Sequence, residues 1–182
     1  MALIRLITER LILRAMTVDG VSLEYVSWLN DPEVNRYLES RFIEHNFEDV
    51  AGFVRRLQAD DSTIFLGIYL KDSDKHIGNI KLDSIDSYHS RGIVGLMLGD
   101  KQEWGKGFAT EAIREITKYA FNELGLKKVS AGCYESNLGS KKAFERVGYE
   151  VEGFLKSHVE TGSGREGLWQ LGMLSDSFRL EK

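Results

Sequence analysis

Apolar residues recur every three to four positions in some stretches of the chain and alternate or run in short blocks in others, notably through its middle, so helical and extended segments separate along the sequence. Residues 3–7 and 11–14 read as an opening strand. Thr17 stands where it can cap a helix carrying Leu23, Val26 and Trp28. Asp31, Pro32 and Glu33 restart a helix, with Asp31 as N-cap, Pro32 in the first turn, and Val34, Tyr37 and Leu38 as its apolar side. Val50, Phe53, Val54 and Leu57 mark a third helix. The period then changes: residues 64–70, 77–85 and 92–98 are strand-like and are separated by polar turns at 71–75 and 86–90, which is a hairpin pattern.

Ala109, Ala112, Ile113, Ile116 and Ala120 share one face of a long helix over residues 108–124. Gly125 is placed for a left-handed stop, and Leu126 can fold back over the helix end. A strand over 127–134, a helix over 138–147 ending at Gly148, and strands over 149–159 and 167–174 around a Gly-rich turn complete the pattern. These elements predict a single α/β (α+β) domain over residues 1–182, with a mixed, mostly antiparallel central sheet flanked by helices.

Composition narrows the function classes. The 182 residues are 42% hydrophobic and 29% charged with a net charge of −4, which argues against disorder and against a strongly basic nucleic-acid surface. Direct nucleic-acid recognition is therefore not expected. Cys133 is the single cysteine, so no internal disulfide can form; it reads as a packed strand residue in a reducing cytoplasm. No signal-peptide core and no apolar run of about 18 residues is present, which predicts a cytoplasmic protein with no membrane partner. No metal site is expected, and a homodimer is compatible with this pattern.

The chemistry concentrates between the strand at 93–98 and the helix that follows it, at Gln102, Glu103, Trp104, Gly105, Lys106, Gly107, Phe108 and Ala109. Two glycines let the chain turn tightly and bring bare backbone to a ligand. First-turn amides of the helix lack intrahelical partners and, with the helix dipole, suit a phosphate or pyrophosphate. Lys106 adds a cation. A Walker loop would need Ser or Thr after the lysine, where Gly107 stands. A dinucleotide fold would need a third glycine where Thr110 stands and more chain after Glu135. A plain tight turn before a packed helix remains the bland alternative.

The order Gln-x-x-Gly-x-Gly followed by Phe-Ala-Thr-Glu-Ala resembles the acyl-CoA pyrophosphate loop of the GCN5-related N-acetyltransferases. The Trp-Gly-Lys-Gly wording is similar to the branch that acetylates ribosomal-protein N-termini and to its relatives in amino-sugar pathways. Residues 8–14, Asn137 with Ser140, and Gly148-Tyr149 extend the likeness over almost the whole chain. The resemblance implies acetyl-CoA as cofactor and an amine as acceptor. It implies that the strand around Gly95 splays from its neighbour, that main-chain groups of Leu96, Met97 and Leu98 pair with pantetheine, and that one N–H there stabilises the oxyanion. It further implies that Asn137 contacts pantetheine and that Ser140 lies near the sulfur, where its hydroxyl can protonate the thiolate. From the residues alone, both can equally belong to the start of a helix, Asn137 as its cap.

Two departures bear on the acceptor. Relatives often place a tyrosine acid where this chain has Phe144, and a glutamate base where it has Ile93. Only a neutral amine attacks a thioester: at pH 7 a lysine amine is free in roughly one molecule per few thousand, an α-amine in roughly a tenth. A weak base suffices for the second, which points to a protein or peptide N-terminus or a sugar amine. Asp83, His89, Glu135 and His158 are candidates to relay the proton, with Asp83 and His158 preferred. Trp28, Asn30, Arg41, Glu44 and His45 are candidates for the acceptor pocket, while Tyr37 and Phe42 are expected to pack. A non-catalytic acyl-CoA-binding protein is the alternative function.

Overall fold

A computed structural model describes residues 4–179. They form one eight-stranded sheet in the order β1-β2-β3-β4-β5-β6-β8-β7. Its strands are β1 (Arg5–Ile7), β2 (Leu11–Ala15), β3 (Ile64–Leu70), β4 (His76–Asp86), β5 (Arg91–Leu98), β6 (Lys128–Tyr134), β7 (Glu150–Thr161) and β8 (Gly164–Leu174). All neighbours pair antiparallel except β5 and β6, which run parallel. The mixed, mostly antiparallel sheet expected from the hydrophobic pattern is thus present, with Leu3 lying outside the described residues.

The helices are α1 (Leu23–Asn30), α2 (Pro32–Asn35), α3 (Phe47–Gln58), α4 (Phe108–Asn122) and α5 (Leu138–Val147). They divide between the two sheet faces. Alternate strand residues such as Leu66, Ile68, Ile80, Leu82, Val94 and Val129 join Ala112, Ile113 and Ile116 of α4 and Phe144 of α5 in one core. On the other face Tyr25, Trp28 and Leu29 of α1 and Val50 and Val54 of α3 form a second core, against which Phe65, Met97 and Trp104 pack. The period-3.6 pattern read for α4 and the alternation read for the middle strands therefore map onto buried faces.

Some boundaries differ from the sequence expectation. Thr17 precedes only a 3₁₀ turn at Val18–Gly20 and makes no side-chain cap bond; Ser22 caps α1, its hydroxyl accepting from the Tyr25 amide at 3.1 Å. The helix begins five residues later than a Thr17 cap implies, and Leu23 faces solvent instead of the core. Asp31 does cap α2, but that helix ends at Asn35, so Tyr37 and Leu38 lie beyond it. The β7–β8 turn is shorter than read: the strands reach Thr161 and restart at Gly164. Gly125, at φ +67°, stops the α4 segment, and the Leu126 amide bonds the Ala120 carbonyl at 3.0 Å. None of these helices is long and apolar enough to cross a membrane.

The two capping readings give opposite results in a denaturant titration. Ser22→Ala should lower stability by about 1 kcal/mol, the usual cost of a lost N-cap bond, whereas Thr17→Ala should fall within about 0.5 kcal/mol of wild type.

Candidate active site

β5 stays paired with β4 from Arg91 to Leu98, and β6 stays paired with β8 from Lys128 to Tyr134. Between themselves β5 and β6 share only Arg91↔Lys128, Gly92↔Val129 and Ile93↔Ser130. Beyond Ile93 the two strands follow different partners and part, leaving a wedge that opens toward their C-terminal ends. The Gly99 amide donates to Ile77 O at 2.9 Å, which sets the antiparallel alternation: Gly99, Met97 and Gly95 turn their main-chain groups to β4, while Leu98, Leu96 and Val94 turn theirs to the wedge. Leu98 O is already used, accepting from the Trp104 indole at 2.9 Å. The splay implied by the resemblance is therefore a feature of the structure, and Leu96 and Leu98 present backbone to it. Met97 instead packs its side chain into the second core.

The chain leaving β5 passes through a 3₁₀ turn at Lys101–Glu103 and reaches α4 through Gly105 at φ +76° and Gly107 at φ +86°. Both angles are in the left-handed region that a side chain resists, and a Cβ at Gly105 would meet nothing within 4 Å, so the backbone there is open to a ligand. The first bond of α4 runs from the Glu111 amide to Gly107 O at 3.1 Å, so the amides of Phe108, Ala109 and Thr110 precede the helical ladder. They sit at the same end of β5 as the wedge. This is the crevice beyond the carboxyl ends of parallel strands where α/β sheets hold ligands.

Individual loop residues divide between contact and support. Gln102 is exposed and its amide donates to Asp100 Oδ1 at 2.9 Å. Glu103 is buried and pairs with Lys106 at 2.8 Å, so the lysine charge is matched inside the turn instead of standing free. Phe108 is buried beneath the Arg10 guanidinium, 4.5 Å from its ring centre. Arg10 also donates to Lys106 O at 3.0 Å and to Glu111 Oε2 at 2.7 Å, while the Arg10 amide and Thr8 Oγ1 donate to Glu111 Oε1 at 2.8 and 2.6 Å. Burial alone would raise the Glu111 carboxyl, but the donors from Thr8 and Arg10 outweigh it and hold it below its ordinary value near 4.5. This clamp ties the glycine turn to the β1–β2 hairpin. Within residues 8–14 nothing local marks Thr8 and Arg10, because their partner lies about a hundred residues away.

At the end of β6, Asn137 caps α5 by accepting from the Ser140 amide at 3.2 Å. Ser140 Oγ lies 3.4 Å from Cys133 Sγ. Burial pushes the Cys133 thiol up, only partly offset by the Ser140 hydroxyl, so the thiolate is disfavoured and cysteine is a poor nucleophile here. The Ser140 hydroxyl and the Asn137 side chain are polar groups at this end of β6. Phe144 is buried in the first core, and its ring meets that of Tyr149 edge-on at 5.0 Å.

A cleft of about 430 Å³ on the opposite sheet face is lined by Glu39, Arg41, Tyr134, His158, Glu160 and Arg165, among others. Arg41 anchors it, donating to Leu38 O and Tyr134 Oη at 2.7 Å each and to Glu160 O at 2.6 Å. Tyr134 in turn donates to Glu39; burial first, then that carboxylate, push its phenol up. Of the residues assigned to the acceptor pocket, Arg41 is in this cleft. Asn30 and His45 pin the loop beside it, Asn30 Nδ2 donating to His45 O at 2.7 Å and the His45 amide to Asn30 Oδ1 at 2.8 Å. Glu44 is exposed on that loop. Trp28 belongs to the second core, packed on His76 with ring centres 5.1 Å apart, and is not on the pocket wall. Phe42 was expected to pack but is 63% exposed, while Tyr37 meets Tyr134 edge-on at 5.8 Å. Tyr134, Glu39 and Arg165 were not read as site residues, since their convergence depends on the pairing of β6, β7 and β8.

The four proton-relay candidates do not converge on one place. His158 lines the cleft, and Glu135 follows β6, where its Oε2 accepts from the Gly167 amide at 2.9 Å. His89 lies in the β4–β5 turn, at the far end of β5 from the wedge mouth. Asp83 lies on β4 directly opposite Ile93, the last β5 residue paired with β6.

The acetyltransferase (GNAT) domain family matches residues 10–150. N-acetyltransferase p20 of Bacillus licheniformis, itself uncharacterized, is 31% identical over 162 residues, covering 88% of this chain and 89% of its own. Spermidine N-acetyltransferase from Vibrio cholerae, solved with CoA and spermine, superposes with a TM-score of 0.83 at 19% identity, over 93% of this chain and 98% of its own. The microcin C7 self-immunity acetyltransferase MccE, solved with acetyl-CoA and AMP, gives 0.79 at 20% identity, over 92% and 93%. The chain belongs to the GNAT family. It is an N-acetyltransferase. The dinucleotide alternative is set aside by the sheet, whose single parallel pair among the described residues is incompatible with a doubly wound fold.

If the Arg10–Glu111 clamp preorganises the turn, Glu111→Gln should weaken acetyl-CoA binding about fivefold, the loss of roughly 1 kcal/mol from charge-assisted bonds, as read by calorimetric titration. The lowered carboxyl also gives a sign in pH. Its stabilisation is complete above the ordinary value and is lost as pH falls through the lower folded-state value, so the stability gap between wild type and Glu111→Gln should be open at pH 7 and narrow as pH falls below the ordinary carboxyl value near 4.5.

Proposed function

We propose that the protein transfers the acetyl group of acetyl-CoA to a primary amine of low pKa, an α-amine at a peptide or protein N-terminus, across the wedge between β5 and β6. The observation that carries this reading is the juxtaposition of the main-chain groups of Leu96 and the Leu98 amide, which face the wedge, with the α4 amides that precede its ladder. The glycine turn would hold the pyrophosphate, the free edge of β5 would pair with pantetheine, and Asn137 and Ser140 stand at the sulfur end. The thioester supplies an activated acetyl group. A Leu96 or Leu98 amide facing the wedge is suited to stabilise charge on its carbonyl oxygen, and the Ser140 hydroxyl is suited to hand a proton to the departing sulfur.

Three features support the acceptor class. No carboxylate stands at Ile93, which favours an amine that is partly neutral at physiological pH. The cleft beside Tyr134 carries matched charges, Arg165 bonded to Glu160 at 3.1 Å and Arg41 beside Glu39 at 4.0 Å, and this suits a dipolar peptide end better than a polycation such as spermine. A nucleotide-linked sugar would need a second cationic site; of Arg36, Arg41 and Arg91, Arg91 pairs with Asp86 at the far end of β5, Arg41 is engaged in anchoring the cleft, and Arg36 stacks over the Tyr37 ring at 4.7 Å. His158, on the cleft wall, is a candidate contact for the acceptor.

Free-thiol release from acetyl-CoA tests the reading. At pH 7, short peptides with a free α-amine should react on the order of 100-fold faster than the same peptides N-terminally blocked and carrying a lysine. Ser140→Ala should lower kcat about 100-fold while leaving acetyl-CoA affinity unchanged. Absence of amine-dependent release across peptides, amino-sugars and polyamines would contradict transfer and leave acyl-CoA binding alone.

A further inference from the structure

We propose that Asp83 takes the proton from the acceptor amine, and that Lys81, ion-paired to it, holds the position that the acceptor's ammonium occupies during the reaction. The inference rests on the transfer reading above and specifies its acceptor end.

Side chains directly opposite on one face of an antiparallel pair have their Cβ atoms about 4.5–5.5 Å apart. Asp83 and Ile93 are such a pair. Ile93 is 43% exposed on the sheet face away from α4, at the point where β5 and β6 part. Asp83 thus brings a carboxylate from the neighbouring strand to the place beside Ile93 where β5 itself offers only a hydrocarbon. Two residues along β5 on the same face stands Gly95, and the Lys81 arm covers it: a Cβ there would meet Lys81 Cε at 3.4 Å. The Lys81 ammonium returns to Asp83, whose other oxygen accepts from Ser84 Oγ at 3.1 Å. A primary ammonium therefore already sits on this carboxylate, across β5 from the point where the wedge begins, on a flexible stem that can swing into solvent.

The backbone is irregular at this point. The β4–β5 register shifts between Asp83 and Asp86, and Ser84 adopts φ +52°, in a region non-glycine residues rarely occupy. Bulges of this kind re-aim a side chain next to functional sites, and such strain persists where the surroundings impose it. Beside Asp83, β3 carries no charged residue and only Tyr69 as a titratable one, and the one charge of β5, Arg91, pairs with Asp86 at 3.5 Å. Lys81 is the charged partner the structure gives Asp83.

The proton balance is direct. The acceptor's ammonium gives one proton to the Asp83 carboxylate, which passes it to solvent. The neutral nitrogen then bonds to the acetyl carbon and gives its second proton to the Asp83 carboxylate, free again after the first release, while the carbon–sulfur bond breaks with its electron pair on sulfur, which takes up a proton from Ser140, itself reprotonated from solvent, or from water.

The test uses the purified protein, acetyl-CoA and the peptide amine that turns over fastest. Asp83→Asn should lower kcat/KM for the amine about 100-fold at pH 7, and the deficit should shrink as pH rises toward the amine's own pKa. Acetyl-CoA affinity should stay within twofold, which separates loss of proton removal from a failure of donor binding. Adding Ile93→Glu to Asp83→Asn should recover at least tenfold, because it returns a carboxylate to the same spot from β5; a structural role for Asp83 would not be rescued this way. Lys81→Met should lower KM for the amine. An Asp83→Asn variant within threefold of wild type, a deficit equal at every pH, or no rescue by Ile93→Glu would overturn the assignment to Asp83, and an unchanged or raised KM in Lys81→Met would overturn the exchange with Lys81.

Discussion

The parting of β5 from β6 is the constraint on which the site depends. A strand edge inside a sheet normally has every amide and carbonyl paired, and leaving such groups without partners costs on the order of 1–3 kcal/mol each once water is excluded. Here β4 holds β5 over its full length and β8 holds β6 over its full length, so the two halves of the sheet twist apart after three shared pairs. The main-chain groups of Leu96 and the Leu98 amide are left facing a gap that an extended, hydrogen-bonding ligand can fill as if it were a strand. Pantetheine, with its two amides, has that chemistry.

The remainder of the structure keeps this gap in register with the helix terminus beside it. Trp104 returns from the turn to Leu98 O, Gly99 and Asp100 both bond Ile77 O, and Arg10 and Thr8 hold Glu111 at the start of α4. The first core fixes α4 and α5 beneath the sheet, while the second fixes α1 and α3 above it. The donor would therefore lie on a rigid frame. The acceptor side is built from loop 36–46 and the β6–β8–β7 face, held by Arg41 and by the Asn30–His45 bonds, and it shares the sheet face that carries Asp83 and Lys81.

Much of this was legible in the residues because it depends on local geometry. The glycine turn, the buried stripe of α4, the Asn137 cap and the Gly125 stop follow from backbone preference and period alone. The wedge did not, since residues 93–98 form an unbroken apolar run whether or not a neighbour is bonded; only the likeness to a known family suggested it. Thr17 and Ser22 are equally good capping residues, and only the packing of Tyr25 decides between them. Trp28 looked like a pocket wall because aromatic residues serve both roles, and its burial against His76 depends on the sheet. The Arg10–Glu111 clamp and the Asp83–Ile93 pair are contacts between distant segments, set by strand register that the sequence does not display.

Backbone amide shifts on titration with a non-transferable acetyl-CoA analogue test the central claim most directly. Binding in the wedge should move the amides of Gly105 to Thr110 together with those of Leu96 and Leu98, and leave Gly95 and Met97, which face β4, little changed. Large shifts confined to another part of the fold, with the glycine turn and the free edge of β5 unmoved, would contradict it.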